Sequence, residues 1–133
     1  MNFLFELVTP EKKVYSDEVD MIIAKAIDGD IGIMANHTPI VTPLAIDQLC
    51  IKKDGKKEYI AIGGGILEVS KEKTMVLVET AETPEEINIQ RAKEAKERAE
   101  ERLKNPDRDT DVKKAEVALK RALNRIEVVE KDK

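Results

Sequence analysis

Arginines in the last third of the chain have spacings that suit anion binding. Arg91 and Arg98 stand seven apart, and Arg121 and Arg125 four apart, so each pair shares a face if the segment is helical. Charges on a helix face are ordinarily solvated and paired with neighbours of opposite sign. That reading serves Arg98, with Glu94 before it and Glu101 after it, and Arg91, with Glu94 three residues on. It fails for Arg121 and Arg125. Their helical neighbours are Val117, Ala118, Ala122, Asn124, Val128, Val129 and each other. Like charges at this spacing repel by about 0.2–0.5 kcal/mol, so an anion from elsewhere should face the pair. A guanidinium fork fits a phosphate chain, and it fits an acidic patch on a partner subunit equally well.

The other chemistry-bearing residues read as structural. His37 is the sole histidine, with no second ligand at metal spacing, and suits a loop or interface role. Asp107-Arg108-Asp109-Thr110-Asp111 imitates the start of a calcium loop. It has Val112 in place of the turn glycine and Ala118 in place of the closing glutamate, so it reads as a capped turn. The phosphate-loop pattern G-x-x-x-x-G-K-[ST] is missing. Gly63-Gly64-Gly65 runs into Ile-Leu-Glu, which fails the dinucleotide fingerprint and suggests a turn or bulge between strands. No serine or cysteine has an identifiable base partner. The expectation is no catalytic residue, no metal site and no obligatory cofactor.

These residues need positioning elements, and the chain changes grammar near Thr83. All six glycines precede residue 66, and all six arginines follow residue 90. The division expected is 1–84 and 85–133. Hydrophobic residues make up 41% and aromatics only 3%, so the core must be aliphatic. Charged residues reach 38%, yet the net charge of −4 disfavours nucleic acid as a partner. In the second half the bases are interleaved with acids and no aromatic follows Tyr59, which weakens a nucleic-acid reading further. Cys50 is the only cysteine, so no internal disulfide forms, which fits a reducing cytosol. The start, MNFLFELVTP, has no signal-peptide pattern, and no stretch has the roughly 20 apolar residues that span a bilayer. A soluble protein is expected, held at any membrane by a partner.

The first half reads as short strands: Phe3–Val8, Val19–Ala24, Leu49–Lys53, Lys57–Ile62, Ile66–Val69 and Thr74–Val78. Asp54-Gly55 between two of them is a strong hairpin signal, since both residues tolerate positive φ. Short strands with regular turn signals suggest an all-β sandwich or barrel. In the second half, Thr83-Pro84-Glu85-Glu86 is a capping box with Pro at the first helical position. It predicts a helix from there to Lys104, stopped by Asn105-Pro106. Its apolar stripe is thin: Ala92, Ala95, Ala99 and Leu103. A second helix is predicted from near Thr110 to about Glu130, with the stripe Val112, Ala115, Leu119, Ala122, Ile126 and Val129. The class is therefore α+β: a sandwich followed by an antiparallel two-helix hairpin. Alanine stripes bury little area, so a hairpin that leaves one resting place and docks in another is expected.

Three stretches, in order, resemble the epsilon subunits of bacterial F-type ATP synthases. Gly29-Asp30-Ile31-Gly32-Ile33-Met34-Ala35-Asn36-His37-Thr38-Pro39-Ile40-Val41 is similar to the family's loop after a glycine and acid. Gly64-Gly65-Ile66-Leu67-Glu68-Val69 is similar to its strand entry, and Ala118 to Ile126 to its last helix. The resemblance implies a non-catalytic rotor-stalk subunit. Its sandwich would bind the gamma subunit and the c-ring, with Asp30 and His37 on the rotor side. Its hairpin would fold down on the sandwich, or open along gamma into the alpha/beta catalytic head and block ATP hydrolysis. In several bacterial members the folded form binds ATP through I/L-D-x-x-R-A. Here Ile87, Arg91 and Ala92 match, and Asn88 replaces the acid. The resemblance adds Glu82, Arg98, Arg121 and Arg125, so ATP is a candidate regulatory ligand. It also implies a peripheral place on the cytoplasmic face of the plasma membrane. The other reading is a freestanding nucleotide-sensing interaction module.

Overall fold

The computed structural model describes residues 1–133. Eight strands come first: β1 (Phe3–Val8), β2 (Lys13–Val19), β3 (Met21–Ala26), β4 (Gly29–Ile33), β5 (Ile40–Lys53), β6 (Lys56–Val69), β7 (Thr74–Val78) and β8 (Ala81–Glu82). Hydrogen bonding runs β2-β1-β7-β6-β5-β3-β4, with β8 added to β6. The β1–β7 pair is parallel and the others are antiparallel.

The long strands β5 and β6 make a sandwich out of this order. They stay paired from Ile40↔Val69 to Lys53↔Lys56. The last residues of β6, from Gly65 on, pair with β7, and its middle, at Ala61 and Ile62, pairs with β8. The neighbours change at Gly63–Gly65. Gly64 has φ +89, and a Cβ on Gly65 would collide with the Leu77 carbonyl oxygen. The glycines are therefore a bend inside one continuous strand, needed because β7 crosses close by. They do not separate two strands, as the sequence suggested. Folded this way, the layers enclose an aliphatic core with Phe5, Leu7, Ile22, Leu49, Ile60 and Val76. The Asp54-Gly55 hairpin is present, with φ of 51° and 76°.

Strand β2 was not anticipated. Lys13–Val19 is a polar, largely exposed edge strand whose sequence lacks an apolar alternation. The stretch 29–41 is likewise more strand than loop, since β4 and the start of β5 occupy its ends. Glu6 is the one buried acid. It accepts from Lys13 Nζ at 2.6 Å, Lys73 Nζ at 2.7 Å and Ser16 Oγ at 3.0 Å. The lysines and the serine hold its pKa down from 4.5 to about 2.

The hairpin begins later than predicted. Glu86 accepts from the Thr83 N–H and from Thr83 Oγ1, each at 3.0 Å. That capping arrangement opens only a 3-10 turn, Pro84–Glu86. Ile87 then takes extended backbone (φ −80°, ψ 126°) and is buried against Ala61 and Val128. Burial of this side chain against the sandwich interrupts the helix. Asn88 starts it again as N-cap, its side-chain oxygen accepting from the Arg91 N–H at 3.0 Å. Helix α1 runs Ile89–Lys104 and α2 runs Val112–Asp132, capped by Asp111 on the Lys114 N–H at 3.1 Å.

Helix α2 lies on β5 and β6, whereas α1 packs on α2. This position makes the buried part of α2 wider than a single stripe. Ala115 and Ala122 are buried, facing α1 with its buried Ala92 and Ala99. Asn124 and Val128 are buried on the sandwich side, and Val112 is exposed. No helix is long and apolar enough to cross a membrane.

Candidate functional site

The Arg121–Arg125 side of α2 rests on the middle of β6 and on β8. Arg125 is held by Glu82, its Nε donating to Oε1 at 2.6 Å. The anion that Arg125 lacks among its helical neighbours thus comes from the same chain, 43 residues earlier. Beside it, Asn124 donates to the Ile62 carbonyl oxygen at 3.2 Å. Its own Oδ1 has no partner although the residue is only 7% exposed. Arg121, Asn124, Arg125, Glu82, Thr80 and Gly63 border a cleft of about 10 Å³. That is room for about one water.

On the other side of Asn124 an open groove of about 740 Å³ runs between α2 and the glycine bend. Its charges alternate. Lys25 lies 3.5 Å from Asp47, and Glu79, Lys120 and Glu127 complete its charged lining. Such mixed charge exerts little net pull on a polyphosphate.

The residues implied for ATP fall into two sets. Glu82, Arg121 and Arg125 meet at the cleft, and Ile87 lies buried in the neighbouring cluster with Ala61 and Val128. Asn88, Arg91, Ala92 and Arg98 belong to the α1 side. Asn88 spends its side-chain oxygen on the helix cap, and Ala92 is buried in the hairpin. Arg91 and Arg98 are exposed, and neither Arg98 nor its helical neighbours Glu94 and Glu101 form an ion pair within 4.0 Å.

Asp30 and His37 sit towards opposite ends of β4. Asp30 is exposed near its start, paired across to Lys25. His37 lies in the loop beyond its end, with Nδ1 2.7 Å from the Thr38 carbonyl oxygen. It borders a cleft of about 330 Å³ shared with Phe3, Met34, Lys71 and Glu72. The Asp107–Asp111 run forms a turn. Asp107 accepts from Thr110 Oγ1 at 3.0 Å and from the Asp109 N–H at 2.8 Å, and these bonds hold its carboxyl below the usual range.

Asn124 escaped the sequence reading. The signal was available: Asn124 lies four residues before Val128 and seven after Val117, on a second row beside the assigned stripe.

Similarity to known proteins covers both halves. Residues 2–84 match the family model described as ATP synthase, Delta/Epsilon chain, beta-sandwich domain, and residues 85–130 match its long alpha-helix domain. The chain is 49% identical over 131 residues to the ATP synthase epsilon chain of Caldicellulosiruptor bescii, covering 98% of this chain and 96% of that one. It is 45% identical over 125 residues to the ATP synthase epsilon chain of Bacillus pumilus, covering 94% and 95%. Among solved structures, a chain of the Euglena gracilis mitochondrial ATP synthase (OSCP/F1/c-ring, rotational state 1) superposes with TM-score 0.81 at 24% identity, covering 98% of this chain and 81% of that one. At that identity the likeness is one of fold. Two domain matches in order, with close relatives spanning nearly the whole length, show that the chain belongs to the ATP synthase delta/epsilon chain family.

Proposed function

We propose that the chain is a non-catalytic rotor-stalk subunit of an F-type ATP synthase whose helical hairpin moves between a docked and an extended position. The sandwich binds gamma and the c-ring, with Asp30 and His37 on the rotor side. Extended, the hairpin reaches the alpha/beta head and restrains ATP hydrolysis. The assembly places the chain peripherally, on the cytoplasmic face of the plasma membrane.

The observation that carries this reading is the form of the docking. Of the two helices, α2 is the one that packs on the sandwich. Its apolar contact there is a cluster of three buried residues, Ala61, Ile87 and Val128, edged by Tyr59 and Val129. The sandwich core contains no residue beyond Val78 and so does not depend on the helices. A small interface beside a self-sufficient domain is drawn from the low-stability end of a structure and opens readily.

A feature of the sandwich supports the rotor role. Val8, Leu77, Ile66 and Pro43 are register partners across four strands. Ile66 is 46% and Leu77 39% exposed, and Val41 nearby is 70% exposed. A contiguous apolar row of this kind marks a protein contact.

ATP is the proposed regulatory ligand of the folded-down form, by way of Arg121, Arg125 and the α1 residues. A ligand that binds only that form shifts the equilibrium by RT ln(1 + [ATP]/Kd), so low ATP favours extension. The test is ATP hydrolysis by the assembled enzyme with the full chain and with a chain ending at Thr83. Faster hydrolysis with the shortened chain, at equal incorporation, is the expected result. Equal rates would remove the hairpin from regulation.

A further inference from the structure

We propose that Glu82 and Arg125 form a latch that holds the hairpin down without nucleotide. The proposal rests on the reading that the hairpin moves, and it names what holds the resting position. Glu82 belongs to β8, a two-residue strand fixed to β6 by the pairs Ala61↔Glu82 and Ile62↔Ala81. Its carboxylate is therefore anchored to the sandwich. It receives Arg125 Nε at 2.6 Å, with the two side chains 32% and 35% exposed. The next α2 residue, Asn124, donates to the Ile62 carbonyl oxygen at 3.2 Å. Two consecutive residues of α2 thus grip both strands of the β6–β8 pair. These two hydrogen bonds are the direct ones from the hairpin's helices to the sandwich; Lys131 adds a cation–π contact, 5.2 Å from the Tyr59 ring.

The pair is poised to decide docking for two reasons. Neither end has a substitute, since Arg125 has no acid three or four residues away on its own helix and Glu82 accepts from no other group. Removing one partner leaves the other charge partly desolvated and unpaired, which costs more than losing an exposed surface pair. The apolar contact beside it is small enough for such a loss to matter. In the docked state Arg125 is already satisfied by a carboxylate of its own chain, so this arginine does not need a bound phosphate to remain in place.

The test is hydrogen exchange in the nucleotide-free full chain, read at the α2 amides and at the β3 and β5 amides as a folding control. Glu82→Gln and Arg125→Gln are each expected to speed α2 exchange about fivefold. The double variant should show about the same increase, and not the roughly 25-fold of independent effects. Val128→Asp serves as a reference that disrupts the docking contact independently of the pair. If Val128→Asp exposes α2 while the single variants leave it at the wild-type rate, or if the two effects multiply, the latch is overturned and the mobile hairpin stands. If α2 stays protected even in Val128→Asp, the hairpin does not move, and both readings fall.

Discussion

Replacing Val128 with alanine should loosen the hairpin and leave the sandwich intact. Val128 is fully buried and packs on Ala61 and Ile87. The substitution removes two methyl groups, each contributing about 0.8 kcal/mol on burial. The space left behind adds a cavity cost. Alanine's better helix propensity returns about 0.5 kcal/mol. The net loss is about 1–2 kcal/mol of docking free energy, or about a tenfold smaller docked-to-undocked ratio for each 1.4 kcal/mol. Amide exchange of α2 reads that ratio directly. Thermal unfolding of the strands should stay in place, because the main core draws nothing from the helices. If protection is lost equally in the strands and in α2, the chain is one cooperative unit and the two-position hairpin is refuted. Unchanged α2 protection would show that this contact does not hold the helix.

Other expectations follow from single residues. Gly65→Ala forces a Cβ onto the Leu77 carbonyl and should cost about 1–3 kcal/mol, seen as a lower melting temperature of the sandwich. Glu6 has its folded pKa depressed from 4.5 to about 2, so the stability it contributes is present above pH 4.5 and is lost as pH falls towards 2. Acid titration of Glu6→Gln should therefore show a flatter stability curve in that window than the parent. Asn88→Ala should cost about 1 kcal/mol at the start of α1, measured as faster exchange in its first turn. Asn88→Asp should keep the cap and, under the ATP proposal, tighten ATP binding by calorimetry. An affinity unchanged by Asn88→Asp would remove position 88 from the site.

Some parts of this structure could be read from sequence because one local rule governed them. The Asp54-Gly55 turn needs two positive φ angles, and its two residues supply them. Asn105-Pro106 ends α1 at Lys104 as expected. The misses occurred where distant packing overrode a local signal. The Thr83 capping arrangement is real, but Ile87 is captured by Ala61 and Val128, so the helix restarts at Asn88. The glycine run looks like a break, yet β5 pairs with β6 across it without a register shift. Strand β2 is an edge whose polar residues give no core-facing pattern. The site was half legible. The lack of acids around Arg121 and Arg125 pointed to an anion from elsewhere. That Arg125's anion would be Glu82 depended on β8 docking on β6, which no local pattern announces.

The most direct test of the central claim is purification of the affinity-tagged full chain from solubilised membranes of its own cells. A rotor-stalk subunit should bring down the catalytic alpha and beta subunits, gamma and the c-ring, together with ATP hydrolysis activity. Recovery of the chain alone, from cells whose ATP synthase is intact, would contradict the account and favour the freestanding nucleotide-sensing module.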